Sequence, residues 1–143
     1  MKTSLITLAA IIISLSSFAA DPSEVVLKNF NAAFSNPEKV TWHDGQDHYQ
    51  ASFVQSGIHT RVKYDKNGNF ISAVRYYGEE NLPIYLLNQL KKNYASKTIH
   101  GVTEVTHGQD VNYYVSLYDE KTITVLQLMV NGEVVSAKKY KKG

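Results

Sequence analysis

Asn67-Gly68-Asn69-Phe70-Ile71-Ser72-Ala73 and Asn131-Gly132-Glu133-Val134-Val135-Ser136-Ala137 correspond residue by residue at a separation of 64 positions, and this match decides the fold. Each stretch has a turn glycine followed by an apolar run typical of a strand. Chance does not preserve turn, register and apolar face together, so the chain is predicted to use one structural unit twice. The same offset places Tyr49, Phe53 and Val62 on Tyr113, Leu117 and Leu126.

A helical pattern precedes each of the two strand-rich stretches. In Asp21-Pro22-Ser23-Glu24, we expect Asp21 to cap the first helix, Pro22 to take its first position and Glu24 to complete a capping box. Apolar residues then recur at helical spacing until Pro37, and a second helix is expected after Pro83. The helices match at an offset of 60, with Phe30 on Leu90, so the second copy has four additional residues between its helix and its central hairpin.

The turns between Val40 and Tyr77 each carry a glycine, as antiparallel hairpins require. Three pairings are predicted from them: Gly45-Gln46 sets Trp42 opposite Tyr49, Ser56-Gly57 sets Phe53 opposite Thr60, and Lys66-Asn67-Gly68 sets Tyr64 opposite Phe70. Strict alternation then gives one core-facing set on a four-stranded meander. That set is Trp42, Tyr49, Ala51, Phe53, Val62, Tyr64, Phe70 and Val74.

Residues 1–19 have the layout of a secretory signal peptide, with Lys2 before an apolar run and small residues at the end. Cleavage is expected after Ala19, because Ser17 and Ala19 then occupy the two positions that require small side chains. The mature chain, residues 20–143, is expected to be a single α+β domain made of two repeats, about 21–77 and 82–141. The apolar run is too short to span a bilayer, and no cysteine is available for a disulfide or a lipid anchor. A periplasmic or secreted location is therefore predicted, without a membrane span after cleavage.

Charge and motifs argue against most kinds of chemistry. The mature chain has 14 basic and 13 acidic residues, and its basic cluster is confined to Lys138–Lys142, so no nucleic-acid partner is expected. Hydrolase, phosphate-loop, dinucleotide and zinc-protease motifs are absent, which predicts a protein that is not an enzyme and has no cofactor. One alternative is a small-ligand or metal-binding protein that uses His43 and His48 across a hairpin tip, although hairpin chemistry alone accounts for that segment. An enzyme of unrecognised type is the other alternative.

Ten tyrosines are more than a small core needs. By strict alternation, Tyr76 and Tyr140 face the core, whereas Tyr77, Tyr114 and Tyr118 lie on the opposite face. A mixture of aromatic, arginine and aliphatic side chains is typical of an interaction surface, although a loop, the tail or a second molecule would also account for it. The residues predicted to bind a partner are Arg61, Arg75, Tyr77, Tyr114, Tyr118, Ile123 and Val125, with Ile71 and Met129 beside them.

Several segments carry a resemblance to a known family, chiefly Val40-Thr41-Trp42, Tyr49–Phe53, Tyr64–Asn69 and Leu82-Pro83. Together they resemble the PepSY-like, beta-lactamase-inhibitor-like family of exported bacterial proteins, many of them from Bacteroidetes. The resemblance implies an eight-stranded antiparallel sheet with two helices on one face. Inhibitors with that architecture hold an enzyme with the open, concave side of the sheet and a hairpin loop, so the resemblance points to the open face of this chain. The repeat, the absent catalytic motifs and the aromatic open face predict a noncatalytic periplasmic or secreted protein that binds another envelope or secreted protein, with restraint of a peptidase as one form. The inhibitors of that family use disulfides, and this chain has no cysteine.

Overall fold

The computed structural model describes residues 21–143, so the predicted signal peptide and its cleavage site lie outside the described residues. Eight strands form one antiparallel sheet in chain order, and two α-helices lie on one of its faces. This architecture confirms the predicted α+β fold. The helices are α1 (Glu24–Ala33) and α2 (Ile84–Asn93), with a short 3-10 helix at Glu79–Asn81. The strands are β1 (Glu38–Asp44), β2 (His48–Gln55), β3 (Ile58–Asp65), β4 (Phe70–Tyr77), β5 (Thr98–His107), β6 (Asp110–Tyr118), β7 (Thr122–Met129) and β8 (Val134–Lys141).

Each helix donates a side-chain hydrogen bond to the last turn of its own repeat. Asn29 donates through Nδ2 to the carbonyl of Gly68 at 2.8 Å, and Gln89 donates through Nε2 to the carbonyl of Gly132 at 2.7 Å. Both glycines have left-handed backbone, with φ of 88° and 87°, which an L side chain adopts only at a cost. The match between residues 67–73 and 131–137 therefore reflects a turn that both reverses the chain and accepts a hydrogen bond from a helix side chain.

Each helix buries its apolar stripe over a separate core. Val26 and Phe30 of α1 pack on Ala51, Phe53 and Val62, where aromatic rings fill the space. In the second repeat, α2 packs its leucines on a core that is aliphatic apart from Tyr113. Neither α-helix within residues 21–143 has the length and hydrophobicity of a membrane-spanning segment. The buried members of the second core are Leu82, Leu86, Leu90, Ile99, Val102, Tyr113, Val115, Leu117, Leu126 and Leu128.

The start of α1 and the first hairpin both differ from prediction. Ser23, rather than Asp21, is at the N-cap, and it makes no side-chain capping hydrogen bond. The first turn is longer than the predicted two residues: the amide of Gly45 donates a hydrogen bond to the carbonyl of His48, which closes the turn. Trp42 consequently pairs with Ala51, so the predicted Trp42–Tyr49 pairing is wrong. The pairings Phe53–Thr60 and Tyr64–Phe70 are confirmed.

A β-bulge reverses the faces of β4, and this corrects the largest error of the sequence analysis. Tyr64 pairs with Phe70 but Lys63 pairs with Ser72, which leaves Ile71 as an extra residue. Beyond it, every side chain points to the face opposite the one that uninterrupted alternation predicts. Arg75 and Tyr77 therefore lie on the helix side, and Val74 and Tyr76 lie on the other side. The second repeat has the same bulge at Val135, which moves Tyr140 away from the predicted core position.

Candidate functional site

The candidate site is the open face, which we define as the face of the sheet away from α1 and α2. Strand registers place Arg61, Tyr114, Tyr118, Ile123 and Val125 on this face, where the sequence predicted them. Their role in binding stays a prediction. Arg75 and Tyr77 are not part of the face. Sequence reasoning missed Val74, Tyr76, Val105 and Tyr140, and the adjacent apolar pairs Phe70-Ile71 and Val134-Val135 after each turn were the signal for the bulge.

An aromatic and aliphatic band crosses the middle of the open face. Tyr76 and Tyr114 both pair with Thr103, which lies between them on β5. Their side chains remain 40% and 36% exposed, large values for aromatic rings in the central strands of a sheet. Large, rigid aromatic side chains contribute strongly to protein interfaces. We call the following set the central band: Val74, Tyr76, Thr103, Val105, Tyr114 and Val125.

A shallow hollow of about 430 Å³ adjoins the central band in the first repeat. Ser52, His59, Arg61 and Tyr76 contribute to its walls. Ser52 lies directly across from Arg61, and His59 lies directly across from Tyr76. The guanidinium carbon of Arg61 is 5.8 Å from the centre of the Tyr76 ring, within the range of a cation–π contact. The hollow therefore presents a positive charge and several hydrogen-bond donors beside an aromatic surface.

Tyr118 lies at the other end of the open face and is partly covered by its own chain. Its ring stacks on His100 with centroids 4.1 Å apart, and the Lys142 ammonium is 4.7 Å from the ring centre. The following turn is held by Asp119, which accepts hydrogen bonds from Lys97 and Thr122. These hydrogen bonds lower the pKa of Asp119, and the bond from Lys97 has the largest effect. Tyr118 is thus less available to a partner than Tyr114.

The two histidines considered as metal ligands do not face one another. Because of the longer first turn, His43 pairs with Gln50, so the predicted opposition of His43 and His48 is wrong. Nδ1 of His48 instead lies 2.7 Å from Oδ1 of Asp47. Within residues 21–143, no three histidine, aspartate or glutamate side chains are placed to hold a metal ion together.

Comparison with known proteins identifies the fold. The sequence matches no protein-family model and no curated protein. Among solved structures, a BLIP-like (beta-lactamase-inhibitor-protein-like) protein of Bacteroides fragilis aligns with a TM-score of 0.66 at 18% identity, covering 87% of this chain and 90% of its own. The chain has a BLIP-like fold. A DUF2874 family protein of Bacteroides ovatus aligns with a TM-score of 0.65 at 16% identity, covering 84% of this chain and 89% of its own.

A Bacteroides eggerthii protein that is described as periplasmic has a similar fold. Its TM-score is 0.63 at 14% identity, covering 84% of this chain and 90% of its own. Since all these identities are low, the likeness establishes the fold alone. The PepSY part of the sequence resemblance stays a prediction.

On the helix side of this BLIP-like fold, a polar network joins the two repeats. Glu104 of β5 accepts hydrogen bonds from the Tyr77 hydroxyl at 2.5 Å and from Arg75 Nη1 at 3.1 Å. The Glu104 side chain is only 14% exposed, so it depends on these two donors from β4. The corresponding residues of the second repeat, Lys139 and Lys141, lie on β8 at the edge of the sheet. Arg75 and Tyr77 therefore connect the repeats.

Alkaline titration is expected to reveal this network. Burial first, and then the bond to the Glu104 carboxylate, raise the pKa of Tyr77 above its ordinary value of 10.0. The folded state thus keeps the phenol proton of Tyr77, while the unfolded chain loses it near pH 10. The contribution of the protonated Tyr77 to the free energy of unfolding is therefore complete below pH 10 and declines above it. Between pH 10 and 11.5, urea unfolding should show a steeper loss of stability for the wild type than for Tyr77→Phe. Parallel curves would contradict this assignment; Tyr64 and Tyr113, whose pKa values burial also raises, leave some slope in both proteins.

Proposed function

We propose that this chain is a noncatalytic, exported protein that binds another envelope or secreted protein through the open face. The observation that carries the proposal is the central band, where Tyr76 and Tyr114 remain substantially exposed in a sheet whose other face is covered by α1 and α2. Exposed apolar patches of this kind mark interaction sites in soluble proteins. Restraint of a secreted peptidase is one form that such binding would take.

Two further observations support a binding function over catalysis. The open face brings tyrosine, valine and arginine side chains together. Ser52 and His59 both line the hollow, but they make no hydrogen bond to each other that would pair a nucleophile with a base. The solved neighbours described as BLIP-like or DUF2874 are not described as enzymes. The signal-peptide pattern of residues 1–19 and the neighbour described as periplasmic favour export.

Replacing both exposed tyrosines, Tyr76→Ala and Tyr114→Ala, is expected to reduce partner capture at least tenfold. Removing two central aromatic anchors takes away the contacts that contribute most to an interface, while the helix-side cores stay intact. The measurement is affinity capture by the mature chain from the envelope fraction of the organism that encodes it, with captured proteins quantified by mass spectrometry.

The matched control is Tyr85→Ala, which removes an exposed tyrosine ring from α2 on the other face of the sheet. This variant should capture the same proteins in the same amounts as the wild type. Circular dichroism of all three proteins would show whether they are folded. A folded double variant with an unchanged set of captured proteins would contradict the proposed function.

A further inference from the structure

We infer that the partner presents an acidic segment, and that one of its carboxylates enters the hollow between Arg61 and Tyr76. This inference rests on the proposed function, because it names the chemistry of the protein that the open face would bind. It commits to one occupant, a carboxylate-bearing segment of a partner protein.

The first argument is the unpaired charge at the hollow. Within the described part of the chain, neither Arg61 nor Lys63 lies within ion-pair distance of a carboxylate, whereas Arg75 on the helix side is paired with Glu104. The residues on the open face next to Arg61 include Ser52 and Val74 across the strands and His59 and Lys63 along β3. None of them is acidic.

The diagonal neighbours of Arg61 are also without negative charge. They are Gln50, Val54, Ser72 and Tyr76. The acidic residues that registers place on the open face are confined to its margins, at Glu38, Asp65 and Asp110. Asp65 is already engaged by the amides of Asn67 and Asn69 in its own turn. Asp47, in the first turn, interacts electrostatically with Lys63. The charge left without a carboxylate partner at the hollow is therefore that of Arg61, which favours an anionic group there.

The second argument is the hydrogen-bonding character of the hollow. Ser52, His59, Arg61 and Tyr76 each carry an N–H or O–H that can be donated. A carboxylate accepts several hydrogen bonds at once and matches the planar guanidinium in a bidentate pair. The Tyr76 ring, 5.8 Å from the guanidinium carbon, limits the positions that Arg61 adopts and so lowers the entropy lost on binding.

The third argument comes from the second repeat, which provides an internal comparison. Its residues at the positions of His59 and Arg61 are Ile123 and Val125, and these lie on the open face beside Tyr140. The second repeat is thus apolar at these two positions, and its basic residue on this face, Lys138 across from Val125, takes the position that Val74 has in the first repeat. The fold alone does not require the basic hollow, so its chemistry points to a ligand.

The test uses two synthetic peptides as probes, one alternating glutamate with leucine and one with glutamine in place of each glutamate. Amide shifts of the ¹⁵N-labelled mature chain are followed by NMR during titration. The acidic peptide is expected to shift amides of β3 and β4 around Arg61 and to bind at least tenfold more tightly than the glutamine peptide. Arg61→Val, which places the residue of the second repeat in the first, should remove this preference. Lys138→Gln, a basic residue of the same face in β8, should change the affinity less than twofold.

The outcomes separate this inference from the proposed function. Equal binding of the two peptides, or no amide shift from either, would contradict the inference of an acidic partner. Reduced partner capture by the double tyrosine variant would still support the proposal that the open face binds a protein. Amide shifts confined to α1 and α2 would contradict the inference that a carboxylate binds in the hollow. Unchanged partner capture by the double tyrosine variant would contradict the proposal that the open face binds a partner. Sedimentation of the chain alone tests a further occupant: a dimer that the tyrosine variant abolishes would assign the open face to a second copy and overturn the inference.

Discussion

Phe30→Ala is expected to lower the free energy of unfolding by about 3–5 kcal/mol. Phe30 is 2% exposed and lies on the buried face of α1, with its ring centre 5.1 Å from that of Trp42 and 5.2 Å from those of Phe34 and Phe53. Truncation removes the transfer free energy of the ring and leaves a cavity that rigid aromatic neighbours fill poorly. Urea unfolding followed by tryptophan fluorescence measures the loss, since Trp42, the chain's single tryptophan, belongs to this cluster.

Phe70→Ala is the matched control, because it deletes the same ring from a position that is 42% exposed. Its expected cost is about 1 kcal/mol, since only part of its apolar area leaves water on folding. In the second repeat, Leu90→Ala should cost about 2–5 kcal/mol, as expected for a leucine in an aliphatic core. If Phe70→Ala destabilised the protein as much as Phe30→Ala, the placement of the aromatic core under α1 would be wrong.

The fold was largely predictable from the sequence because its determinants are local. The turns at Ser56-Gly57 and Lys66–Gly68 fix strand pairing through backbone conformations that few residues adopt, and the pairs that flank them, Phe53–Thr60 and Tyr64–Phe70, were predicted correctly. The helices were found from apolar spacing, although the start of α1 was misplaced by two residues. The internal duplication shows each element twice in the sequence. The turn at Gly132, for example, has the same bulge and the same helix contact as the turn at Gly68.

The candidate site was less predictable because one inserted residue exchanges the two faces of a strand. Strict alternation carries the register of β4 straight through the bulge at Ile71, and only the adjacent apolar residues Phe70 and Ile71 mark the place where alternation breaks. The error exchanged Tyr76 for Tyr77 and Val74 for Arg75, so both β4 residues of the central band were assigned to the core. Strands without a bulge beyond their turn, such as β6 and β7, were assigned correctly at Tyr114, Ile123 and Val125.

Glu104→Ala is expected to lower the free energy of unfolding by about 2–3 kcal/mol. The substitution leaves the Tyr77 hydroxyl without its acceptor and Arg75 without its counter-charge on the helix side of the sheet. Because the Arg75 side chain is 40% exposed, water compensates part of its lost pairing, which keeps the cost below that of a fully buried ion pair. Urea unfolding at pH 7 measures the loss.

Glu104→Gln tests which part of the network matters, because the amide oxygen still accepts a hydrogen bond from Tyr77 while the charge is lost. It should cost about 1 kcal/mol, the difference between a charge-assisted and a neutral hydrogen bond. Asp44→Ala, which removes the exposed ion pair with Lys66, should leave the unfolding midpoint near that of the wild type. If Glu104→Ala changed the midpoint as little as Asp44→Ala does, the network would not contribute to joining the repeats, and the pairing of β4 with β5 would have to hold them together through backbone hydrogen bonds and apolar contacts.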